Sequence, residues 1–292
     1  MIKKELKLRR NMWEEIGGED FADKVSPSKL RDLGLYGGQQ GIWIDKKRTG
    51  KLADNGYGIA VSVLHKGDVY PDDFDETGVI YHYPNTDRPK SRDIGEIESV
   101  KNCKRHNLPV FVIRENPDDK RLRDVFWGNV TYWDDDSEVF IIEFGETDRD
   151  IGKLEISDDF QVQEKANKQY DTQIYARDAG FRIAVLRRYG THCAVCGLDI
   201  VDLLDAAHLV PKSKNGSDDP RNGIVLCSLH HRAFDRGYFA INPENLEIVK
   251  KPKGPSLEKI KVSCQDISHL PRIPHEEALE IAWQLWKNEN GT

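Results

Sequence analysis

Long apolar runs are missing from this chain; none approaches the roughly 18 residues that a membrane helix needs, so no membrane partner is expected. The N-terminus, MIKKELKLRRNMWEEIGG, is basic but lacks the apolar stretch of a secretory signal, and a cytoplasmic location is the expectation. Cysteine is scarce: five in 292 residues, unevenly spaced, which argues against a disulfide-framed scaffold. Internal repeats and low-complexity tracts are absent. Net positive charge is lacking as well, the formal balance being −7, but net charge says little about local patches. From Ile174 to Ile260 the chain carries 13 Lys and Arg against 10 Asp and Glu; the remainder carries 30 against 40. The chain is electrostatically divided.

What is present suits a solvated globular protein, with 38% hydrophobic and 32% charged residues, and 292 residues suffice for two domains. Residues 1–29 read as a polar, partly helical lead-in. From Leu30 the character changes to short β-type runs broken by Gly, Pro and Asp: GIWID, GIAVSVLH, GVIYHYP, LPVFVIRE, GNVTYW and VFIIEF. One helical pattern, RDIGEIESVKNCKRHN, interrupts them, with Ile94, Ile97, Val100 and Lys101 at helical spacing. Residues 30–145 thus form a mainly β domain. The polar, acid-rich stretch 146–176 reads as a linker, and 177–292 as a second domain. That domain opens with an amphipathic helix ending at Gly190 and closes with a helix over HEEALEIAWQLWKN. The fold class expected is α+β.

The strongest local signal is Cys193-Ala-Val-Cys196 followed, 31 residues on, by Cys227-Ser-Leu-His230. Two pairs with two-residue spacers supply four ligands for a tetrahedral structural Zn²⁺. A redox CxxC is the rival, weakened because nothing around Cys193 reads as a thioredoxin-like strand–helix entry. Cys103 and Cys264 read as ordinary thiols. Between the pairs, VDLLDAAHLV and NGIVL read as two strands of a hairpin joined by a polar turn. SLHHRAFDRG then reads as a short helix, with Ser228 as its cap and Gly237 as its stop.

This segment, LLDAAHLVPKSKNGSDDPRNGIVLCSLHHRAFDRG, resembles the HNH (ββα-metal) nucleases over about 60 residues, from Tyr189 to Ile248. The signature positions fall on His208, Asn222 and His231. The resemblance implies a DNA phosphodiester hydrolase in which His208 is the general base and Asn222 holds the loop or orients that imidazole. It implies further that His231 binds a catalytic Mg²⁺ or Mn²⁺. Many relatives carry an acid or histidine just before the first signature histidine; here Ala207 stands there, and Asp205 is the candidate second metal ligand. Arg232 and Arg236 are candidate phosphate contacts. The adjacent His230 and His231, about 100° apart on a helix, would divide the work: His230 closes the zinc site and His231 serves the catalytic metal.

Residues 30–145 resemble, more distantly, the SRA (SET and RING-associated) domains, which flip a modified cytosine out of DNA. The resemblance rests on GDVYPDDFDETGVIYHY and on the order of the later runs LPVFVIRE and GNVTYW. It departs after the second tyrosine, where HYPNTDRP replaces a glycine-rich ending. It implies a twisted β-barrel with flanking helices. In its pocket Tyr70 would stack on the base and Asp73 would accept from the exocyclic amine, with Tyr81 or Tyr83 as the second face. Only one of those two tyrosines is expected to point inward, Tyr81 being preferred. The spacing of PDDFDETG does not fit an EF-hand calcium loop.

Together the two constellations resemble type IV modification-dependent restriction endonucleases. The partner expected is double-stranded DNA carrying modified cytosine, cut by a homodimer because two strands need two active sites. Two alternatives stay open: an HNH nuclease for unmodified, damaged or phosphorothioate DNA, and a non-catalytic, zinc-stabilised DNA-binding protein.

Overall fold

The structure, a computed structural model, describes residues 1–37, 41–65, 74–86, 89–145, 160 and 174–290, without the side chains of 174–179. Among these residues no helix is long and apolar enough to cross a membrane. The chain divides into two compact units, 1–155 and 156–292.

The first unit is built on one sheet. Its strands are β1 (Ala22–Val25), β2 (Ile42–Trp43), β3 (Ser62–His65), β4 (Gly78–His82), β5 (Val110–Glu115), β6 (Arg123–Asp134) and β7 (Val139–Phe144). The strands pair in the order β2-β3-β5-β6-β7-β4, with β1 added on β6; β3 and β5 run parallel and the other pairs antiparallel. Period-two alternation sends successive side chains to opposite faces, and both faces are covered. Val110 and Val112 of β5 face a core that includes Val100 and Cys103 of helix α4 (Lys90–Arg105). Phe111 and Ile113 face the opposite core, with Met12 and Trp13 of helix α1 (Ile2–Glu15). The lead-in is therefore part of this fold. Its Arg9 is fully buried, paired with Glu5 at 2.9 Å and donating to the carbonyls of Ala60 and Pro109. The helical pattern expected over 92–107 is α4, although Ile94 stays exposed.

The expected barrel is not closed. Among the described residues the ladder is open, starting at β2 and ending at β4. β2 contributes only two residues, and the approach of the two edges is made by a side chain: the Tyr81 hydroxyl on β4 donates to the Gly41 carbonyl at 3.0 Å. One phenol takes the place of a backbone ladder there.

The second unit opens with helix α5 (Ile174–Tyr189), which Gly190 ends in the left-handed region while its N–H bonds the Leu186 carbonyl. Strands β8 (Leu204–His208) and β9 (Gly223–Cys227) form the expected antiparallel hairpin, His208 opposite Gly223. Helix α6 (Ser228–Asp235) follows directly, then the ribbon β10 (Phe239–Ile241) and β11 (Ile248–Lys250), and finally helix α7 (Glu276–Asn290). Phe181 and Val185 of α5 pack so closely on Gly223 that a Cβ there would lie 2.5 Å from Val185. The indole of Trp286 on α7 donates to the Gly237 carbonyl at 2.8 Å, fixing α7 against the end of α6. Ser228 does not cap α6: it is the first helical residue, Cys227 holds the cap position, and the Ser228 hydroxyl donates to Leu203 instead.

Candidate active site and metal centre

Cys193, Cys196, Cys227 and His230 come together, with all four ligand atoms within 4.8 Å of one another. Cys193 and Cys196 sit on a tight turn in which Gly197, at φ +73°, lets its own N–H bond the Cys193 carbonyl. Cys227 ends β9 and His230 lies in the first turn of α6. The His230 ring has a fixed direction: Nε2 donates to the Ile260 carbonyl at 3.0 Å, leaving Nδ1 toward the sulfurs, 3.1 Å from Cys227 Sγ and 3.5 Å from Cys193 Sγ. Such an outer hydrogen bond is what orients a metal-binding imidazole. Burial pushes the Cys193 thiol up to about 12, reinforced by its cysteine neighbours, and lowers His230. A dication reverses that preference by stabilising the thiolates. The donor set, its compactness and the tethered imidazole fit a zinc ion. Cys103 is buried in the core of the first unit; Cys264 is half-buried and its N–H donates to the Val195 carbonyl between Cys193 and Cys196, but its thiol is not among the four clustered ligands.

On the same unit a cleft of about 500 Å³ is lined by Arg182, Asp205, His208, Lys212, His231 and Asp235, among others. Strict alternation would put Asp205 and His208 on opposite faces of β8. His208 is the last residue of the strand, however, where the chain leaves the ladder, and both residues reach the cleft. Asp205 Oδ2 lies 3.2 Å from His231 Nδ1, and Asp235 Oδ2 lies 3.7 Å from His231 Nε2. The His231 hydrogen bond holds the Asp205 carboxyl below its ordinary range, against burial. Conversely, Asp205 raises His231, with burial opposing and Asp235 adding to the rise. A carboxylate and an imidazole this close, half-exposed at the wall of a cleft, suit a hard or borderline divalent cation.

His208 is held on two sides. Its ring stacks on Phe181 with centroids 3.8 Å apart and planes 9° from parallel. Its Nε2 lies 3.0 Å from Asp218 Oδ1, while the other Asp218 oxygen meets Lys212 Nζ at 2.6 Å. Burial would raise the Asp218 carboxyl, but hydrogen bonds from His208 and Lys212 hold it below the usual carboxylate range.

Asn222 is completely buried and bonds the loop, not the imidazole. Its Oδ1 accepts from the Val210 N–H at 3.0 Å, and its Nδ2 donates to the carbonyls of Val210 (3.1 Å) and Ser217 (3.0 Å). Asp219 and Pro220 deliver it there through a 3₁₀ turn in which the Asp219 carboxylate accepts the Arg221 N–H. Gly216 is required at the crossing, since a Cβ would lie 1.7 Å from the Val210 carbonyl.

Arg232 and Arg236 are exposed on and just after α6 and do not line the cleft; Arg182 and Lys212 supply its cationic side. Four residues missed in the sequence thus meet this site: Arg182, Lys212, Asp218 and Asp235. For Asp218 the available signal was an acid pair, Asp218-Asp219, in the polar turn before a signature asparagine.

In the first unit, Tyr70 and Asp73 lie outside the described residues. Tyr81 and Tyr83 both pack against the same core, which corrects the expectation that only one would point inward: residues two apart share a face. Their hydroxyls are engaged, Tyr81 with Gly41 and Tyr83 with Asp135 at 2.9 Å. Burial raises both phenols well above their ordinary value.

Residues 193–242 match the family model described as HNH endonuclease. Among solved structures the chain is similar to the modification-dependent TagI restriction endonuclease, at 20% identity over 92% of this chain and 93% of that one, with a TM-score of 0.37. It is also similar to the type IV phosphorothioation-dependent restriction endonuclease ScoMcrA, at 13% identity over 90% of this chain and 54% of that one, with a TM-score of 0.27. No curated protein matches the chain. The match from Cys193 to Asn242 spans the Cys/His cluster and the cleft residues from Asp205 to Asp235: the chain carries an HNH endonuclease domain and is a nuclease.

Proposed function

We propose that the protein is a modification-dependent DNA endonuclease of a cytoplasmic restriction system, acting on duplex DNA as a homodimer. The observation that carries the nuclease reading is the convergence of Asp205, His208 and His231 on one cleft beside a Cys₃His cluster. His208 takes a proton from the attacking water as its oxygen approaches phosphorus. The P–O bond on the opposite side then breaks, and solvent protonates the leaving alkoxide. Asp205 and His231 would hold a divalent ion, which supplies positive charge at the phosphate and at the leaving oxygen. Arg182 and Lys212 add fixed positive charge to the same wall, while Arg232 and Arg236 on the exposed side of α6 meet flanking phosphates. Cys193, Cys196, Cys227 and His230 would hold Zn²⁺, which would anchor the first turn of α6 and so steady the presentation of His231.

The modified-base reading is supported by the sequence segment carrying Tyr70 and Asp73, which supplies an aromatic face and a carboxylate acceptor. Tyr81, with Tyr83 as the alternative, would supply the second aromatic face for the base. The test is a cleavage panel of duplexes containing cytosine, 5-methylcytosine, 5-hydroxymethylcytosine, glucosylated cytosine or phosphorothioate, each with and without Mn²⁺. Cutting confined to cytosine-modified duplexes supports the proposal. Equal cutting of all duplexes removes the base-reading part, and metal-independent integrity of every duplex removes the nuclease.

A further inference from the structure

We propose that Asp218 is the positioning residue of the general base, selecting the tautomer in which His208 Nδ1 is the atom that accepts the proton of the attacking water. The inference rests on reading His208 as the base and goes beyond it by naming the atom and the residue that sets it. An ionised carboxylate only accepts hydrogen bonds, so the 3.0 Å contact requires the hydrogen on Nε2. The neutral ring then has its lone pair on Nδ1. Asp218 is kept ionised by the second hydrogen bond, from Lys212 at 2.6 Å. Phe181, stacked at 3.8 Å, removes the remaining freedom of the ring to tilt. The result is a base held by two contacts, from α5 and from the turn before β9, the second of them braced in turn by Lys212 on Asp218.

The charged and titratable groups around His208 are Asp218 and the cleft residues Arg182, Asp205, Lys212, His231 and Asp235. Lys214 and Glu289 share a neighbouring cavity with it. Of these, Asp218 is the group that hydrogen-bonds the ring. In the step itself the water oxygen forms its bond to phosphorus and one O–H bond breaks, while the opposite P–O bond breaks with its electron pair on the leaving oxygen, which solvent protonates. The O–H electron pair stays on the water oxygen and its proton moves to Nδ1. The resulting imidazolium, with its Nε2–H on the Asp218 carboxylate, is stabilised until it releases that proton to solvent.

The experiment is ¹⁵N NMR of the full chain labelled at histidine, with the His208 signals identified by their loss in His208→Ala. Wild type should show the Nε2–H form, and Asp218→Asn, whose amide can donate to Nε2, should move the hydrogen to Nδ1. The same variant should lose about a hundredfold in kcat with little change in KM, and the acidic limb of its pH–rate profile should move to lower pH as the imidazolium loses its carboxylate. Asp218→Glu should recover part of both. Melting temperature and zinc content control for folding. A wild-type Nδ1–H form, or a tautomer and pH limb unmoved in Asp218→Asn, overturns the proposal. A wild-type chain that shows the Nε2–H form and cleaves none of the duplexes instead overturns the nuclease mechanism while leaving the Asp218–His208 bond standing.

Discussion

Replacing Asn222 by Ala separates a loop-holding residue from a chemical one, and its cost can be worked from the contacts. The side chain is fully buried and satisfies three backbone groups: the Val210 N–H, the Val210 carbonyl and the Ser217 carbonyl. Val210 is itself completely buried, so water does not replace the lost partner there. One stranded N–H costs about 1–3 kcal/mol, and two carbonyls losing a partner each add a smaller amount, giving about 3 kcal/mol in all. For a unit spanning residues 156–292, that lowers the melting temperature by about 10 °C. Asn222→Asp should be no milder. One carboxylate oxygen still accepts from Val210, but the other then faces the two carbonyls that the amide nitrogen used to serve. The assay is calorimetry of the full chain, with the transition of this unit identified by the accompanying zinc release. A melting temperature within about 2 °C of wild type, combined with a large loss of kcat, would refute the loop-holding role and place Asn222 in the chemistry.

Adjacent histidines should behave oppositely: His230→Ala loses bound zinc and the cooperative unfolding of its unit, while His231→Ala keeps both and abolishes cleavage, as read by metal analysis, circular dichroism and a nicking assay. His208→Ala should stop cleavage with DNA affinity unchanged in a gel-shift titration. Arg9→Ala should destabilise the first unit by about 1–3 kcal/mol, because the carbonyls of Ala60 and Pro109 lose their buried donor while Glu5 keeps only its pair with Arg48; denaturant unfolding measures this. Tyr70→Ala and Asp73→Ala should each remove the preference for modified over plain duplex in competition cleavage while sparing the basal cut; unchanged preference in both sinks the base pocket.

The HNH unit was legible because its signals are local. The two Cys pairs, the hairpin strands around a polar turn and the helix that follows all lie within about 60 residues, and their spacing nearly determines which side chains meet. The helix start was misread by one position, since Ser228 has the right chemistry for a cap while Cys227 has the cap's backbone. Asp218 was invisible for a different reason: a carboxylate in a polar turn looks like a solvated loop residue until the turn is folded back by Asn222 onto the end of β8. In the first unit the strands were legible from alternation, but closure was not, because a barrel depends on pairings between residues far apart in sequence. Here β4 and β2 meet through the Tyr81 hydroxyl and not through a ladder. Arg9 gave no warning either. A cation in a basic helix reads as surface, and its burial is made tolerable by Glu5 one turn earlier together with the carbonyls of Ala60 and Pro109, some fifty and one hundred residues away.

The paired histidines show how one helical turn serves two sites without conflict. His230 points inward, its Nε2 fixed by Ile260 and its Nδ1 turned to the cysteines, at 1% exposure. His231 points to the cleft, where Asp205 and Asp235 flank its two nitrogens. Because α6 is only eight residues long, it has little stability of its own and depends on tertiary anchors. The cysteine cluster anchors its first turn and the Trp286–Gly237 bond its exit. Rigidity at the structural site is thereby transmitted across a single peptide bond to the residue that faces the cleft. Partial loss of zinc should therefore depress cleavage in proportion to the zinc-free fraction, because a molecule without the ion loses the orientation of His231 along with the turn that carries it. A zinc-depleted preparation retaining full activity per molecule would break that coupling.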